Sequence, residues 1–244
     1  MDKVNILGVN VDMVTIDQAA DKIIEFLSED KLHSVFTPNA EIIMAAYRDK
    51  EFADILNHSE LLTADGIGVV YASRILKKPI SERAAGYDIA CRVLEKISES
   101  NHKLFLFGGK PGVAEQARDK LLAKYPKLSI VGTRNGYFKP EEDAEIVSEI
   151  NASGADIVFV CLGAPKQEKW IDAQRDNLKV KVAMGIGGSL DVFAGTVERA
   201  PAFFCNHGLE WLYRLYKEPW RIGRMMELPK FAATVFFKGK RYKK

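Results

Sequence analysis

Two apolar runs in the second half of the chain end in turns of small residues that lead into predicted helices. Residues 156–162 run into Gly163 and Ala164, and residues 182–186 run into Gly187 and Gly188. The first N–H groups of a helix have no intrahelical partner, so they suit an anionic ligand such as a phosphate. In open α/β sheets such turns lie at the carboxyl ends of strands, where ligands bind. The pattern predicts a site for a phosphorylated ligand.

Polar side chains also follow two strands predicted in the first half of the chain. Thr37 and Asn39 come after residues 33–36, and Asp65 comes after residues 61–63. A carboxylate at a strand's carboxyl end faces the ligand crevice and can act as a general base. The alternative for Asp65 is a helix N-cap, and Asn39 can cap the next helix.

Three further side chains are candidates for ligand contacts. Arg83 is either a phosphate ligand or a surface charge, and Gln167 and Asp191 are either helix caps or groups that face the crevice. No Asp-x-Asp pair follows a strand, and no His or Cys cluster has metal-ligand spacing. A nucleophile elbow of the Gly-x-Ser-x-Gly type is also missing. The residues favour a transfer reaction that uses no metal and no other cofactor over metal-assisted hydrolysis.

A glycine-rich turn over residues 108–112 follows one strand and precedes a helix. Its Gly109 belongs either to a nucleotide-binding turn or only to a tight turn. Tyr137, in a loop at the same sheet edge, either stacks on a base or covers the core. The turn does not have the glycine spacing of a dinucleotide fingerprint, and the acidic residue expected after the second strand is missing. These departures disfavour a Rossmann-type oxidoreductase.

The overall composition is that of a globular protein. The chain has 244 residues, of which 47% are hydrophobic and 28% charged, which is ordinary for a soluble enzyme. Three cysteines without pairing spacing, at positions 91, 161 and 205, predict a reducing compartment. The N-terminus lacks a signal-peptide pattern, and we find no apolar run of about 18 residues that would span a membrane.

Strand and helix patterns alternate along most of the chain. The strands are continuous apolar runs, which are typical of a parallel sheet buried on both faces. We predict an α/β, Rossmann-like fold with a mostly parallel sheet covered by helices on both faces and a C-terminal helical appendage. The predicted strands are residues 4–9, 33–36, 61–63, 103–107, 128–132, 156–162 and 181–186. The main predicted helices are residues 87–100, 113–124, 141–151 and 165–175, with a Thr15–Gln18 capping box opening an earlier one.

The charge changes sign near the C-terminal end. Residues 1–200 carry 25 Lys and Arg against 30 Asp and Glu, whereas residues 201–244 carry 10 against 3 and hold 10 of the 24 aromatic residues. We therefore divide the chain into a catalytic body, 1–195, and an appendage, 196–244. Pro219 is predicted to interrupt the appendage and start a second helix. The appendage either packs on its own domain or lies in an anionic membrane surface, with leucines and aromatics entering the headgroups.

Eight segments, in order along the chain, carry a family resemblance. They are residues 37–39, 63–66, 83–88, 107–109, 136–138, 162–168, 185–191 and 195–222. Together they resemble the WecG/TagA/CpsF family of bacterial glycosyltransferases, and within it the TagA branch, which makes the linkage unit of wall teichoic acid. One departure is Ala84-Ala85, where the family often has a valine or isoleucine followed by a threonine.

The resemblance implies a reaction and partners. The donor would be UDP-N-acetylmannosamine, and the acceptor would be N-acetylglucosamine on undecaprenyl diphosphate. Inversion at the anomeric carbon would give a β-1,4 link. The enzyme would lie in the cytoplasm, bound peripherally to the inner face of the bacterial cell membrane. The residues leave open a donor such as the corresponding uronic acid, a homo-oligomer, and a non-catalytic membrane- or nucleic-acid-binding module. Nucleic acid is the weaker partner, because the aromatics lie among leucines and not in a flat basic array.

The resemblance also implies roles for the candidate residues. Asp65 would deprotonate the acceptor 4-hydroxyl, and Arg83 is one candidate for neutralising the leaving diphosphate. The residues that would position the sugar and the diphosphate are Thr37, Asn39 and Gln167. Those that would hold the UDP moiety are Gly109, Tyr137, Gly187 and Asp191. For the appendage, our own hypothesis is that one or more of Arg214, Arg221 and Arg224 completes the site when that segment docks.

Overall fold

The computed structural model describes residues 1–217, 219 and 222–242, apart from the side chains of residues 202, 206, 214, 224 and 240. Its strands are β1 (Lys3–Ile6), β2 (Val9–Asp12), β3 (His33–Phe36), β4 (Leu61–Leu62), β5 (Lys103–Gly108), β6 (Ser129–Arg134), β7 (Ile157–Cys161) and β8 (Val182–Gly185). The helices of the body are α1 (Ile16–Phe26), α2 (Ala40–Arg48), α3 (Lys50–Asn57), α4 (Ile67–Ile75), α5 (Gly86–Ile97), α6 (Val113–Lys124), α7 (Asp143–Ser153), α8 (Lys166–Ala173) and α9 (Ser189–Phe193). The helices that follow are α10 (Ala202–Asn206), α11 (Glu210–Lys217), α12 (Ile222–Met225) and α13 (Glu227–Lys238).

Six strands form one sheet in the order β4-β3-β8-β7-β5-β6. Every neighbouring pair in it is parallel. The carboxyl ends of all six strands therefore lie in a row along one edge. The prediction of a mostly parallel sheet is confirmed, and with it the α/β fold class.

Helices cover both faces of this sheet. Along β5, Phe105 and Phe107 belong to one apolar cluster and Leu104 and Leu106 to the other, since successive side chains of a strand point to opposite faces. Helices α2, α3, α4, α7 and α8 pack on the first face, and α1, α5, α6 and α9 pack on the second. This double burial explains why the strands are continuous apolar runs.

Local capping interactions start the first helices at the predicted residues. The Thr15 hydroxyl accepts a hydrogen bond from the Gln18 N–H while the Gln18 side chain accepts one from the Thr15 N–H, which confirms the capping box. Asn39 caps α2, because its Oδ1 accepts from the N–H of Ile42 at 3.0 Å. The end of β3 and the start of α2 are thereby fixed next to each other.

The N-terminal segment differs from the prediction of a single strand over residues 4–9. Strands β1 and β2 form an antiparallel hairpin of their own, and the turn between them places Leu7 and Gly8 at φ values of 54° and 98°. The prediction is wrong because leucine at such a position is not a turn signal. Strand β1 also contacts residues 239–242, and the Tyr242 ring lies beside Gly8. The two ends of the described chain are therefore neighbours.

Helix α13 packs on α2 and α4 of the body. Its Phe231 and Val235 are buried in the first apolar cluster. Pro219 lies between α11 and α12, where a break between helices was predicted. The division of the chain at residue 195 stays a prediction.

Candidate active site

A cleft of about 650 Å³ opens at the carboxyl ends of the neighbouring strands β4, β3, β8 and β7. Its volume is in the range of small-molecule sites. Seven of the predicted site residues line it, namely Thr37, Asn39, Asp65, Arg83, Gln167, Gly187 and Asp191. The fold thus brings together residues that are up to about 150 positions apart in the chain, because parallel strands end at one edge.

Asp65 is a cleft residue and does not cap α4, the helix that follows it. Helix α4 has Gly66 at its N-cap position, with φ at 87° and no side-chain cap hydrogen bond. The Asp65 carboxylate instead lies 3.5 Å from the backbone nitrogen of Gly86, whose N–H donates to it. The capping alternative is therefore wrong, while the role of general base stays a prediction.

The end of β3 and the first turn of α5 approach each other closely beside Asp65. A Cβ on Gly86 would lie 2.7 Å from the Thr37 hydroxyl oxygen, which is closer than atoms can approach without a shift. Only glycine at position 86 leaves room for Thr37 in its present place. Because the Oδ1 of Asn39 is used by the cap of α2, the amide nitrogen of Asn39 is the group that remains to donate to a ligand.

Gln167 links the two small-residue turns that border the cleft. Its Oε1 accepts from the N–H of Gly187 at 3.0 Å, and its Nε2 donates to Glu168 Oε1 at 2.9 Å. The prediction that the turn leaves this N–H unpaired is wrong at Gly187. The two turns are held together by one side chain.

Behind Gln167, Glu168 is fully buried. Its Oε2 has no hydrogen-bond partner in the described part of the chain. Burial raises the pKa of Glu168 above its ordinary value, and the hydrogen bond from Gln167 only partly offsets this. A buried carboxyl group that lacks a cationic partner favours its neutral form.

An ion network forms another part of the cleft lining. The Arg83 guanidinium donates to Asp88 at 3.0 Å and to Glu210 of α11 at 2.6 Å. Asp88 also accepts from Arg199. Burial alone would lower the pKa of Arg83, but the surrounding carboxylates outweigh burial and raise it. With 17% of its side chain exposed, Arg83 is not the solvated surface charge that one interpretation of the sequence allowed.

The described lining of the cleft is acidic overall. Its ionisable side chains are the carboxylates of Glu41, Asp65, Asp88, Asp191 and Glu210 and the guanidinium groups of Arg83 and Arg199. Such a lining repels a phosphorylated ligand unless cations are aimed at it. Arg221 and the side chains of Arg214 and Arg224 lie outside the described residues, so their predicted entry into the site stays a prediction.

Gly109 and Tyr137 lie at the ends of β5 and β6, further along the same sheet edge. The Gly109 carbonyl accepts from the N–H of Gly136 at 2.8 Å, and the N–H of Gly109 donates to the Cys161 carbonyl at 3.2 Å. Neither residue lines the cleft described above. The Tyr137 side chain is 67% exposed, so it does not cover the core. Phe138 does so instead, against the ring of Phe107.

Asp88, Arg199 and Glu210 are site residues that sequence reasoning missed. Asp88 stands in the first turn of α5 within a segment of the family resemblance, which is the only signal that could have drawn attention to it.

Among the described residues, no group of three or more His, Cys, Asp or Glu side chains could hold a metal ion. In the same part of the chain, no helix is both long and apolar enough to cross a membrane.

The model of the glycosyl transferase WecG/TagA/CpsF family matches residues 4–244. The chain belongs to this family. Among its relatives, a protein of Bacillus subtilis (strain 168) is 39% identical over 82% of this chain and 78% of its own length. A protein of Staphylococcus aureus (strain MRSA252) is 38% identical over 94% of this chain and 90% of its own length. Both are named N-acetylglucosaminyldiphosphoundecaprenol N-acetyl-β-D-mannosaminyltransferase.

Membership of the WecG/TagA/CpsF family confirms the resemblance drawn from the eight segments. The protein is a glycosyltransferase. The alternatives of an oxidoreductase and of a non-catalytic binding module are therefore wrong.

Proposed function

We propose that the enzyme transfers N-acetylmannosamine from UDP-N-acetylmannosamine to the 4-hydroxyl of N-acetylglucosamine on undecaprenyl diphosphate, a step in making the linkage unit of wall teichoic acid. The names of the relatives supply the acceptor and the sugar. The observation that supports the chemistry is Asp65, a carboxylate at a strand end in the cleft that does not cap the helix following it.

In the proposed reaction, Asp65 accepts the proton of the acceptor 4-hydroxyl. The oxygen attacks the anomeric carbon of the donor from the side opposite the diphosphate, the bond to UDP breaks, and the β link forms with inversion. UDP leaves with the electron pair of the broken bond. A positioned general base of this kind contributes about 10²- to 10⁴-fold in rate.

The acidic lining of the cleft bears on the choice of donor. N-acetylmannosamine is neutral, whereas the corresponding uronic acid brings one more carboxylate among the five that already line the cleft. Like charges in a partly desolvated cleft repel each other. The lining therefore favours the neutral sugar.

The proposed acceptor also sets where the enzyme works. Undecaprenyl diphosphate is anchored in the membrane, so the cleft must reach the bilayer surface. The basic, aromatic C-terminal helices supply groups suited to the headgroup region. We propose peripheral attachment to the inner face of the cell membrane.

The test is UDP release from UDP-N-acetylmannosamine with a short-chain lipid-diphosphate N-acetylglucosamine acceptor, in the presence of a chelator. Asp65→Asn should lower acceptor-dependent release about 10²- to 10⁴-fold and leave thermal unfolding unchanged. Asp54→Asn, the same substitution at an exposed position of α3, should behave like the wild type. Equal rates for Asp65→Asn and wild type would remove Asp65 as the base. Absence of release by the wild type would refute the proposed substrates.

A further inference from the structure

Arg199 is a cleft residue without a role in the reaction described so far. It lies in the connection between α9 and α10 and lines the cleft. Its guanidinium lies over the ring of Tyr87, 4.7 Å from the centroid, and that ring stacks on Phe193 at 4.9 Å. Together with the hydrogen bond to Asp88, these contacts hold the guanidinium in one place at the cleft wall.

The two arginines of the cleft differ in how many carboxylates they contact and in how exposed they are. Arg83 donates to two carboxylates and is 17% exposed. The Arg199 side chain is 38% exposed, and among the described residues it hydrogen-bonds to Asp88 alone. A guanidinium carries five N–H donors in a planar fork. Most of the donors of Arg199 are therefore open to a ligand in the cleft.

We propose that Arg199 binds the diphosphate of a substrate, an inference that rests on the proposed function. The planar fork of an arginine matches two phosphate oxygens at once. The Tyr87 ring and Asp88 orient that fork before the ligand arrives, so less side-chain entropy is lost on binding. The diphosphate can belong to the UDP donor or to the lipid-linked acceptor.

The charge of the cleft favours such a role for an arginine. Five carboxylates line the described cleft, and two of them already neutralise Arg83. The lining stays net negative even with both arginines counted, so a diphosphate needs a cation placed directly against it, and Arg199 is the arginine whose donors are the more open. Asp88 bridges the two arginines, so it fixes the position of Arg199 without burying its other donors.

The experiment compares full-length wild type, Arg199→Met and Arg199→Lys by calorimetric titration with UDP, uridine and a short-chain prenyl-diphosphate N-acetylglucosamine. Methionine keeps an unbranched side chain that can pack on Tyr87, but it lacks the charge. Arg199→Met should weaken binding of a diphosphate ligand about 10- to 100-fold, since hydrogen bonds to charged groups are the strong ones. Uridine, which has no phosphate, should bind equally well. Arg199→Lys should recover part of the loss.

Comparing the two diphosphate ligands shows whether Arg199 binds the diphosphate of the donor or that of the acceptor. Loss for UDP alone assigns Arg199 to the donor, and loss for the prenyl diphosphate alone assigns it to the acceptor. Arg92→Met, on the exposed side of α5 where Arg92 pairs with Asp17 and Glu95, is the matched control and should change neither affinity.

Two results would overturn the assignment of Arg199 while leaving the proposed function in place. One is wild-type affinity of Arg199→Met for both diphosphates. The other is an equal loss for uridine and UDP, which would make Arg199 a structural residue. Failure of the wild type to bind either diphosphate would instead refute the proposed function, and this inference with it.

Discussion

The α/β body and the helices α10 to α13 place their apolar side chains differently. In the body, large apolar side chains are mostly buried, and its few exposed ones include Tyr71, Ile75 and Tyr137. In the described part of the much shorter C-terminal segment, the exposed large apolar residues are Phe203, Trp211, Leu212, Tyr216, Ile222, Met226, Phe236 and Phe237. The charge differs as well, since residues 1–200 are net acidic and residues 201–244 are net basic.

The apolar residues of the two regions therefore differ in where they lie, in the core of the body and on the surface of the C-terminal segment. Most large apolar residues of the body are buried in its two clusters, where they stabilise the fold. In the C-terminal segment, a few apolar residues such as Phe231 and Val235 are buried against the body, and many others are exposed. Exposed apolar patches with basic neighbours mark sites for a membrane or a partner.

The largest expected effect is on the buried side of α13. Phe231→Ala should lower the free energy of unfolding by about 3–5 kcal/mol, the usual cost of removing a buried phenylalanine ring. Chemical denaturation monitored by circular dichroism measures the change. If the body unfolds as in the wild type while α13 becomes protease-sensitive, then α13 is a separate unit, and the boundary between the two regions falls before it.

The exposed side of the same helix should behave in the opposite way. Phe237, which is 77% exposed, should bury its ring in a bilayer, where a phenylalanine contributes about 1.5–3 kcal/mol. Phe237→Ser should therefore weaken binding to vesicles about 10- to 100-fold in sedimentation and leave unfolding unchanged. Unaltered vesicle binding would show that this face of α13 does not meet the bilayer.

A smaller effect is expected from the charge of the segment. Arg241 is exposed, and a basic residue near an anionic surface contributes about 1 kcal/mol. Arg241→Gln should weaken binding about fivefold on vesicles that contain phosphatidylglycerol. Binding to purely zwitterionic vesicles should not change, and an equal loss on both kinds of vesicle would contradict the electrostatic role.

The last prediction concerns the pH dependence of stability that arises from the buried carboxyl group of Glu168. Because the pKa of Glu168 is raised above 4.5 in the folded protein, the unfolded chain releases this proton at lower pH than the folded protein does. The contribution of Glu168 to the free energy of unfolding is therefore fully present below about pH 4.5. It is lost as the pH rises through the pKa of Glu168 in the folded protein. The glutamine of Glu168→Gln does not titrate. The free energy of unfolding of this variant, measured with denaturant, should therefore increase relative to that of the wild type as the pH rises. A constant difference from pH 4 to 8 would refute a raised pKa.

What could be predicted from the sequence rests on local signals. The strand over residues 33–36 and the helix over residues 113–124 have their predicted bounds, because an apolar run and helical periodicity are written in neighbouring residues. The placement of Thr37 and Asp65 in the cleft could be predicted as well, because both residues follow predicted strands and parallel strands end at one edge of the sheet.

The rest depends on contacts that leave no local trace. The partners Asp88 and Arg199 are 111 positions apart, and Arg83 and Glu210 are 127 apart. No spacing rule links such residues. The hydrogen bond from the Gly187 N–H to Gln167 likewise joins a turn to the start of α8, 20 positions away. The sequence of the turn alone therefore predicts an unpaired N–H, whereas in the fold this N–H is paired.

The contact between Tyr242 and the hairpin turn at Gly8 makes the two ends of the chain a natural reporter pair. Fluorophores attached near residues 2 and 242 should transfer energy efficiently while α13 stays docked on α2 and α4. Undocking of α13 would separate them, lower that efficiency and remove Leu228 of α13 from the lining of the cleft. Mixing the doubly labelled enzyme with vesicles in a stopped-flow instrument would then time the movement of the C-terminal helices in milliseconds and set that time against turnover.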